Sequence, residues 1–215
     1  MEPLTVALPK GRMQDEVLEI FREAGYPAES DGGRSLIFPD LTGTLRFLLA
    51  KPSDVPTYVE YGAAALGIAG TDTVREGDHD VYEPLSLGIG HCHLALAGPV
   101  SWRGRDLRLE PYLRIASKYP RLAQQYFTQR DLSAEIIYLS GSIELAPIVG
   151  LADLIVDLVE SGRTLRENGL VELETILESE ATLIVNRAAL KLRSGEIREM
   201  IGRLSAAVQS RKERQ

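Results

Sequence analysis

The fold class is indicated by residues 4–25, which read LTVALPKGRMQDEVLEIFREAG. Leu4–Leu8 is an apolar run that is typical of a buried strand. Gln14–Ala24 predicts a helix whose apolar face consists of Val17, Leu18, Phe21 and Ala24. Gly25 is expected to end this helix, because glycine is favoured at helix C-termini. A strand that leads directly into a helix is the building unit of α/β folds with parallel sheets.

The same alternation of strand-like and helical segments continues along the chain. Further strands are predicted at Leu45–Ala50, Leu66–Ala69, Cys92–Ala97, Leu113–Ser117, Ile136–Leu139, Leu154–Asp157, Leu170–Leu177 and Ala181–Val185. A short helix is predicted with Ser53 as its N-cap and an end near Tyr61. A closing helix is predicted over Gly195–Val208, with Ile197, Ile201, Leu204 and Val208 buried. The pattern therefore predicts an α/β fold with a largely parallel sheet.

The composition is that of a chain with enough apolar residues for a sizeable core. Its 215 residues, 44% of them hydrophobic, fit one large domain or two small ones. A transmembrane helix is not expected, because the sequence has no run of about 18 uncharged apolar residues. The first residues lack the basic region and long apolar stretch of a signal peptide. Cys92 is the only cysteine, so an internal disulfide is impossible and a cytoplasmic location is expected.

The net charge of −7 bears on the kinds of partner that the chain can bind. It argues against nucleic acid and against an anionic membrane surface. A site for a polyanion must therefore be positive locally, through a few cations, helix N-termini and a metal ion.

The first candidate motif is Lys10-Gly11-Arg12, where the first predicted strand passes into the first helix. Unpaired N–H groups and the helix dipole make such a junction suited to anions. Gly11 allows the backbone to approach a ligand, while Lys10 and Arg12 supply positive charge. The same residues could instead form a surface turn that happens to be basic.

The second candidate motif is the loop Glu160-Ser161-Gly162-Arg163-Thr164, which follows an apolar strand. Successive N–H groups there can form a phosphate-binding nest, with the Ser161 and Thr164 hydroxyls as further donors. Asp153 and Asp157 lie four positions apart, roughly 13 Å along a strand, so they cannot bind one ribose together. Asp157 adjoins the nest and is the candidate ribose ligand, whereas Asp153 is expected to be a capping or structural acid. A polar turn after a buried strand is the alternative.

Three further segments place polar residues beside predicted strands. Ser142 is expected to cap a helix, and Glu144 could orient a ribose or simply favour the helix dipole. Arg114 and Lys118, at the two ends of a strand, are candidates for phosphate or adenine contacts, or else solvated surface residues. A strand-to-helix turn that contains Asp54 could line a cleft or only cap a helix.

The segment His91-Cys92-His93 raises the question of a metal site. A strand would place both histidines on one face. A zinc site needs further soft ligands, however, and His79 is the only other histidine in the chain. We therefore predict no metal site formed by the protein alone.

Together these segments resemble the ATP phosphoribosyltransferase family. The resemblance covers nearly the whole chain and rests on the order and spacing of Leu8–Arg12, Asp54–Glu60, Leu66–Gly70, Arg114–Pro120, Gly141–Pro147, Gly150–Asp153 and Asp157–Leu165. Two positions depart from the family pattern. Ala65 stands where the family usually has Asp, and Thr71 stands where it often has Lys, immediately before Asp72.

The resemblance implies two α/β domains in a periplasmic-binding-protein-like (type II) fold with a central ligand cleft. We expect residues 1–90 and 180–215 to form a discontinuous domain I. Residues 91–179 are expected to form domain II and to carry the phosphate-binding loop. The resemblance also implies the short form of the enzyme, a homo-oligomer that assembles with a regulatory subunit resembling histidyl-tRNA synthetase.

The implied reaction transfers the 5-phosphoribosyl group of phosphoribosyl pyrophosphate to N1 of ATP, the first step of histidine biosynthesis. Mg²⁺ would arrive bound to the substrate. Lys10, Arg12 and Asp157 are the expected catalytic residues. The expected substrate-binding residues are Gly11, Asp54, Asp72, Arg114, Lys118, Glu144, Glu160, Ser161, Gly162, Arg163 and Thr164. The alternatives are a noncatalytic two-lobed module for small anions or nucleotides, and a phosphoribosyltransferase for another base.

Overall fold

The computed structural model describes residues 2–28 and 35–214. It divides the chain into two compact units, each with its own sheet. Unit 1 consists of Met1–Gly90 and Glu180–Gln215, and unit 2 consists of His91–Ser179. In the described part of the chain, no helix is both long enough and apolar enough to span a membrane.

Strands and helices alternate through most of the chain. The strands are β1 (Leu4–Pro9), β2 (Ile37–Pro39), β3 (Leu45–Ala50), β4 (Leu66–Gly70), β5 (Val81–Ser86), β6 (Cys92–Pro99), β7 (Leu113–Ser117), β8 (Ala134–Tyr138), β9 (Leu154–Val159), β10 (Leu170–Ser179) and β11 (Ala181–Asn186). The α-helices are α1 (Gln14–Glu23), α2 (Val55–Glu60), α3 (Thr71–Gly77), α4 (Pro120–Thr128), α5 (Leu145–Ile148), α6 (Arg163–Glu167), α7 (Arg187–Leu192) and α8 (Ser194–Lys212). Short 3₁₀ turns occupy Pro52–Asp54, Val100–Trp102 and Leu107–Leu109.

Unit 1 is built on a sheet with the strand order β2-β3-β1-β4-β11-β5. β1 pairs in parallel with β3 and β4, while β11 runs antiparallel to β4 and β5. The predicted apolar face of α1 is confirmed, because Val17, Leu18, Phe21 and Ala24 are all buried. Phe21 packs edge-on against Phe47 of β3, with ring centroids 5.2 Å apart. This face of the sheet is also covered by α8, so both ends of the chain contribute to one core.

Unit 2 is built on a sheet with the strand order β10-β6-β9-β7-β8. β7 pairs in parallel with β8 and β9, and β6 runs antiparallel to β9 and β10. Phe127 of α4 packs in a cluster with Ile115 and Leu154. Leu165 of α6 belongs to a second cluster with Ala116 and Ile155. Since successive strand residues point to opposite faces, the two clusters cover the two sides of this sheet.

The expectation of a largely parallel sheet is wrong, because both sheets are mixed. The parallel neighbours β3-β1-β4 and β9-β7-β8 are joined to antiparallel strands in each unit. β10 shows why the expectation failed, since apolar and acidic side chains alternate in it from Val171 to Glu174. Such alternation is typical of an antiparallel strand with one face in water.

Two helix starts also differ from the prediction. Ser53 does not cap α2, because a 3₁₀ turn precedes the helix and the Ser53 hydroxyl donates to Asp54 Oδ1 at 2.9 Å. The predicted end near Tyr61 is confirmed. Ser142 does not cap α5 either, since it has a positive φ of 51° and the helix begins only at Leu145. In both places a tight turn separates the polar side chain from the first helical N–H groups.

The closing helix is longer than predicted. α8 extends over Ser194–Lys212, and Ile197, Leu204 and Val208 are buried as expected. Ile201 is only partly buried, although it packs against the same core.

Candidate active site

The candidate residues other than Arg114 lie where parallel strands end, at one edge in each unit. Strands β1, β3 and β4 are parallel neighbours, so their carboxyl ends share one edge. The same holds for β7, β8 and β9. We call these the unit 1 edge (Lys10–Arg12, Lys51–Asp54 and Thr71–Asp72) and the unit 2 edge (Lys118, Glu144 and Asp157–Thr164). Ligands of open α/β sheets bind beyond the carboxyl ends of the strands.

The β1–α1 turn at the unit 1 edge presents two cations from a well-anchored backbone. The Lys10 N–H donates to the Ala50 carbonyl at 2.8 Å, which ties the turn to the end of β3. Gly11 has a φ of 120°, and no atom lies within 4 Å of the position that a Cβ would take there. The side chains of Lys10 and Arg12 are exposed. A bulky anion can therefore reach both cations and the Gly11 backbone.

The two carboxylates of the unit 1 edge are in different environments. Asp54 is exposed and accepts a hydrogen bond from Ser53. Asp72, in the first turn of α3, is buried and accepts a hydrogen bond from Thr73 Oγ1 at 3.2 Å. The Asp72 carboxylate occupies the space where a Cβ of Gly70 would lie. Asp72 is thus held in one position, whereas Asp54 faces solvent.

The two positions that depart from the family pattern have structural roles in unit 1. The Thr71 N–H and hydroxyl both donate to the Glu180 carbonyl, at 3.0 and 3.2 Å. Ala65 is partly buried and packs against the core. Its N–H donates to the Thr5 carbonyl at 2.9 Å, and its carbonyl accepts from the Asn186 N–H at 3.0 Å.

Asp157 is the most perturbed acid of the unit 2 edge. Burial raises the pKa of its carboxyl group to about 6. The Leu158 N–H, which donates to Asp157 Oδ1 at 2.9 Å, opposes this rise. The charge of Glu144 raises the pKa further and that of Lys118 lowers it. These three side chains, which lie far apart in the sequence, are therefore within electrostatic reach of one another.

The loop after β9 has the backbone geometry of an anion nest. Gly162 adopts a left-handed conformation with a φ of 66° and directly precedes α6. The Arg163 N–H points back to Ser161 Oγ at 3.4 Å. The N–H groups of Thr164 and Leu165 lie in the first turn of α6, where no preceding helical carbonyl is available to them. Alternating left- and right-handed residues direct such N–H groups toward one point.

Two arginines at the start of α6 bind to other residues of the same segment of chain. Arg163 forms an exposed ion pair with Glu167 at 2.7 Å. Arg166 Nη1 donates to the Ser161 carbonyl at 3.1 Å and thereby braces the loop. The side chain of Thr164 is exposed. Glu160, at the start of the loop, is exposed as well.

Arg114 is not brought together with Lys118, because the two lie at opposite ends of β7. Its guanidinium donates to both oxygens of Asp153, at 3.4 and 3.1 Å, and to the Gly150 carbonyl at 3.1 Å. The Arg114 N–H donates to the same carboxylate at 2.9 Å. Asp153 is therefore a structural acid, as expected. In the structure, Arg114 is the partner of Asp153 at the amino end of β7.

One polar residue at the unit 2 edge was not singled out from the sequence. Ser117, the last residue of β7, is fully buried, and its hydroxyl is hydrogen-bonded to Val156 of β9 and to Tyr119 in the turn after β7. A serine that closes an otherwise apolar strand, immediately before a lysine, is the signal that could have identified it.

The two histidines of the segment His91-Cys92-His93 are in different environments. His91 is exposed, whereas His93 is partly buried and lies 3.0 Å from the Glu172 carboxylate. Among the residues that the structure describes, no three His, Cys, Asp or Glu side chains are grouped so that they could hold a metal ion.

Comparisons with known proteins agree on one family. The family model described as HisG: ATP phosphoribosyltransferase matches residues 51–206. An ATP phosphoribosyltransferase of Sorangium cellulosum (strain So ce56) is 50% identical over 208 residues, which is 96% of either chain.

Solved structures show the same likeness and extend it to the fold. The chain resembles the ATP phosphoribosyl transferase (HisG:HisZ) complex from Thermotoga maritima with a TM-score of 0.83 and 33% identity, over 96% of this chain and 99% of that one. The alkanesulfonate-binding protein SsuA from Xanthomonas axonopodis pv. citri shares only 14% identity, with a TM-score of 0.57 over 96% of this chain and 73% of that one. That second likeness shows the fold alone. The predicted periplasmic-binding-protein-like (type II) fold is confirmed.

Proposed function

The chain belongs to the ATP phosphoribosyltransferase family, and from this membership we propose how its residues carry out the transfer. The reaction joins C1′ of phosphoribosyl pyrophosphate to N1 of ATP and releases diphosphate, which opens histidine biosynthesis. Family membership over the whole chain favours this enzyme over a noncatalytic binding module.

The unit 2 edge, as we propose it, binds the ribose 5-phosphate part of the donor. The observation that carries this proposal is the pairing of a partly buried acid, Asp157, with the Gly162 nest at the end of the same strand. Ser161, Gly162 and Thr164 would hold the 5′-phosphate through N–H and hydroxyl donors. Asp157 would accept hydrogen bonds from ribose hydroxyls. Burial strengthens such bonds because water does not compete for the carboxylate.

Four further side chains of the unit 2 edge would belong to this donor site. The charges of Lys118 and Glu144 act on the Asp157 carboxyl, and we propose that Glu144 also accepts from a ribose hydroxyl. Glu160 and Arg163 flank the nest within the loop and complete its polar surface. Because Arg114 forms an ion pair with Asp153, we propose that it holds β7 in position and does not contact the substrate directly.

The unit 1 edge would bind the polyphosphate groups. Lys10 and Arg12 are exposed cations beside a glycine whose backbone is open to solvent. They suit the leaving diphosphate or the ATP phosphates, which carry several negative charges that must be balanced locally. Asp54 and Asp72 would bind the hydrated Mg²⁺ of the substrate or donor hydroxyl groups. The Mg²⁺ would arrive as part of the substrate, since it is usually bound together with phosphates.

The chemistry needs little acid or base catalysis. The N1 lone pair of adenine attacks C1′ as the bond from C1′ to the diphosphate oxygen breaks, and the diphosphate leaves with that electron pair. Since the lone pair is already available, the protein contributes positioning and stabilisation of the departing negative charge. The nest would position the donor through its 5′-phosphate, and Lys10 and Arg12 would stabilise the leaving diphosphate.

Partners and location follow from the relatives. The Thermotoga maritima structure is a complex of HisG with HisZ, and we propose that this chain also assembles with such a regulatory subunit and with copies of itself. The relative from Sorangium cellulosum matches over 96% of its own length, which fits the short form. We propose a cytoplasmic location, since the substrate ATP is available there and a chain with a single cysteine needs no oxidising compartment for an internal disulfide.

A direct assay tests the proposal. The protein is mixed with ATP, phosphoribosyl pyrophosphate and Mg²⁺, with and without a candidate regulatory subunit. We expect the absorbance of phosphoribosyl-ATP and an equal amount of diphosphate to appear. Replacing ATP with GTP is the control for base identity, and we expect no product there. Absence of both products in every ATP mixture would contradict the assignment.

A further inference from the structure

Ser117 occupies the junction between the three strands that carry the unit 2 edge. It is the last residue of β7, which lies between β8 and β9 in the sheet. Its exposure is 0%, so its hydroxyl has no contact with water. It directly precedes Lys118.

Hydrogen bonds connect Ser117 to β9, to the turn before α4 and to the segment after β8. Its hydroxyl donates to the Val156 carbonyl at 2.6 Å and accepts from the Tyr119 N–H at 2.8 Å. Its own carbonyl accepts from the Leu139 N–H at 3.0 Å. The first two bonds depend on the side chain, and the third on the backbone.

Two partners of Ser117 are next to residues of the proposed donor site, and the third lies five positions before another. Val156 immediately precedes Asp157, Tyr119 immediately follows Lys118, and Leu139 opens the segment that leads to Glu144. From this we infer that Ser117 is a positioning residue, whose hydroxyl fixes Asp157 and Lys118 relative to each other. This inference rests on the proposed function of the unit 2 edge.

The physical reason is the stiffness of a buried bridge. A hydroxyl that both donates and accepts holds two backbone segments at fixed distances, and in a dry interior it has no competing water. Alanine removes both bonds and leaves the strands packed, because only one oxygen atom is lost. The turn after β7 can then drift relative to the end of β9, and a small displacement of binding groups weakens a site strongly.

The effect is expected to fall on one substrate. Ser117→Ala should raise KM for phosphoribosyl pyrophosphate by roughly tenfold, because displaced Asp157 and Lys118 side chains would make weaker contacts with the donor. KM for ATP should stay within about twofold of its original value. A uniform loss of folded protein would instead lower kcat and leave both KM values unchanged.

A matched control comes from unit 1. Thr5 is a buried strand hydroxyl at the amino end of β1, away from the unit 1 edge, and it accepts from Arg46 at 3.2 and 2.9 Å. Thr5→Val removes this bond without touching a candidate site residue. We expect a stability loss of similar size to that of Ser117→Ala and no change in either KM.

The experiment is titration calorimetry and steady-state kinetics on the wild-type protein, Ser117→Ala and Thr5→Val, each with its regulatory subunit. The titrant is phosphoribosyl pyrophosphate with Mg²⁺, and the stoichiometry reports the folded fraction independently of Kd. A roughly tenfold weaker Kd for Ser117→Ala alone is expected. If Ser117→Ala does not fold, Ser117→Cys, whose thiol is a weaker donor and acceptor, is expected to show a smaller shift in the same direction.

The outcomes separate the two levels of argument. If the wild-type protein neither binds the donor nor makes phosphoribosyl-ATP, the proposed function fails. If the wild-type protein is active and both variants have wild-type Kd values, only the positioning role of Ser117 is overturned. Equal weakening in Ser117→Ala and Thr5→Val would also overturn it, because the effect would then be one of general stability.

Discussion

The unit 1 edge and the unit 2 edge use the same position in a sheet for different chemistry. At the unit 1 edge the cations Lys10 and Arg12 are exposed on a turn. At the unit 2 edge the acid Asp157 is partly buried, its pKa is raised, and a glycine turn supplies N–H donors. The first edge offers charge to a solvated ligand, and the second offers a fixed shape.

This difference follows from where each side chain sits relative to its strand. Lys10 and Arg12 come after the last residue of β1, in a turn that water surrounds. Asp157 lies within β9, two residues before its end, where neighbouring strands exclude water. Salt screens the interactions of exposed charges, whereas those of a buried charge are screened much less and are stronger at short distance. The comparison predicts that variants at the two edges will respond differently to salt and to pH.

The largest effect is expected at the unit 1 edge. Lys10→Ala combined with Arg12→Ala should lower kcat/KM by roughly a hundredfold to ten-thousandfold, because two charge-assisted hydrogen bonds are lost. The remaining activity should depend less on ionic strength than that of the wild-type protein. Initial rates across a salt series measure both.

Arg22→Ala is the control for this double variant. Arg22 is an exposed residue of α1 that pairs with Glu19 at 2.7 Å. We expect kcat/KM within about twofold of the wild-type value. A loss as large as that of the double variant would show that net charge matters and not the position of the two cations.

A smaller effect is expected at the unit 2 edge. Asp157→Asn should lower kcat/KM for phosphoribosyl pyrophosphate by roughly tenfold to a hundredfold, since a charged acceptor is lost. In the wild-type protein, kcat/KM should fall as the pH drops through about 6, where Asp157 takes up a proton. The variant should lack the part of this fall that Asp157 causes. An unchanged pH profile in the variant would exclude Asp157 as its source.

The same substitution should have the opposite effect on stability. Folding raises the pKa of Asp157 from 3.8 to about 6. Between these two pH values the unfolded chain loses the proton while the folded protein keeps it, so above about pH 6 the charged carboxylate destabilises the folded state. Asp157→Asn should therefore be more stable by about 1–3 kcal/mol at pH 8, and this advantage should vanish below about pH 4. Denaturant unfolding at both pH values measures it. A variant that is less stable at pH 8 would contradict the burial argument.

The smallest effect is expected for a charge that lies beside the nest but takes no part in it. Glu167, in α6, forms an exposed ion pair with Arg163 at 2.7 Å. Glu167→Ala should change kcat/KM by less than about twofold and stability by less than about 1 kcal/mol. Comparison with Thr164→Ala, for which we expect about a tenfold loss, tells the nest apart from its outer surface.

The sequence predicted most of the fold where strands are continuous and apolar. β1, β3, β4 and β7 were found for that reason. β2 and β5 were missed, because β2 has only three residues and β5 contains Pro84. Both are edge strands of the unit 1 sheet, where proline and short length are tolerated. Edge strands bury too little apolar surface to leave a clear pattern.

The candidate site was predictable as loops but not as contacts. The chain order of strand ends and polar turns was sufficient to select Lys10–Arg12 and the Gly162 loop. The pairing of Arg114 with Asp153 could not be predicted, since it depends on which strands are neighbours and on their register. For the same reason the raised pKa of Asp157 could not be read from its neighbours in the sequence.

The placement of β11 has a consequence for how the protein is made. β11 (Ala181–Asn186) lies between β4 and β5, so the unit 1 sheet is incomplete until the ribosome has synthesised all of unit 2 and then this strand. All strands of the unit 2 sheet, in contrast, come from one uninterrupted stretch of the nascent chain. Unit 2 can fold first, while β4 and β5 await their central partner. During that interval β4 and β5 have unpaired backbone groups on the side where β11 will bind, and such groups favour aggregation.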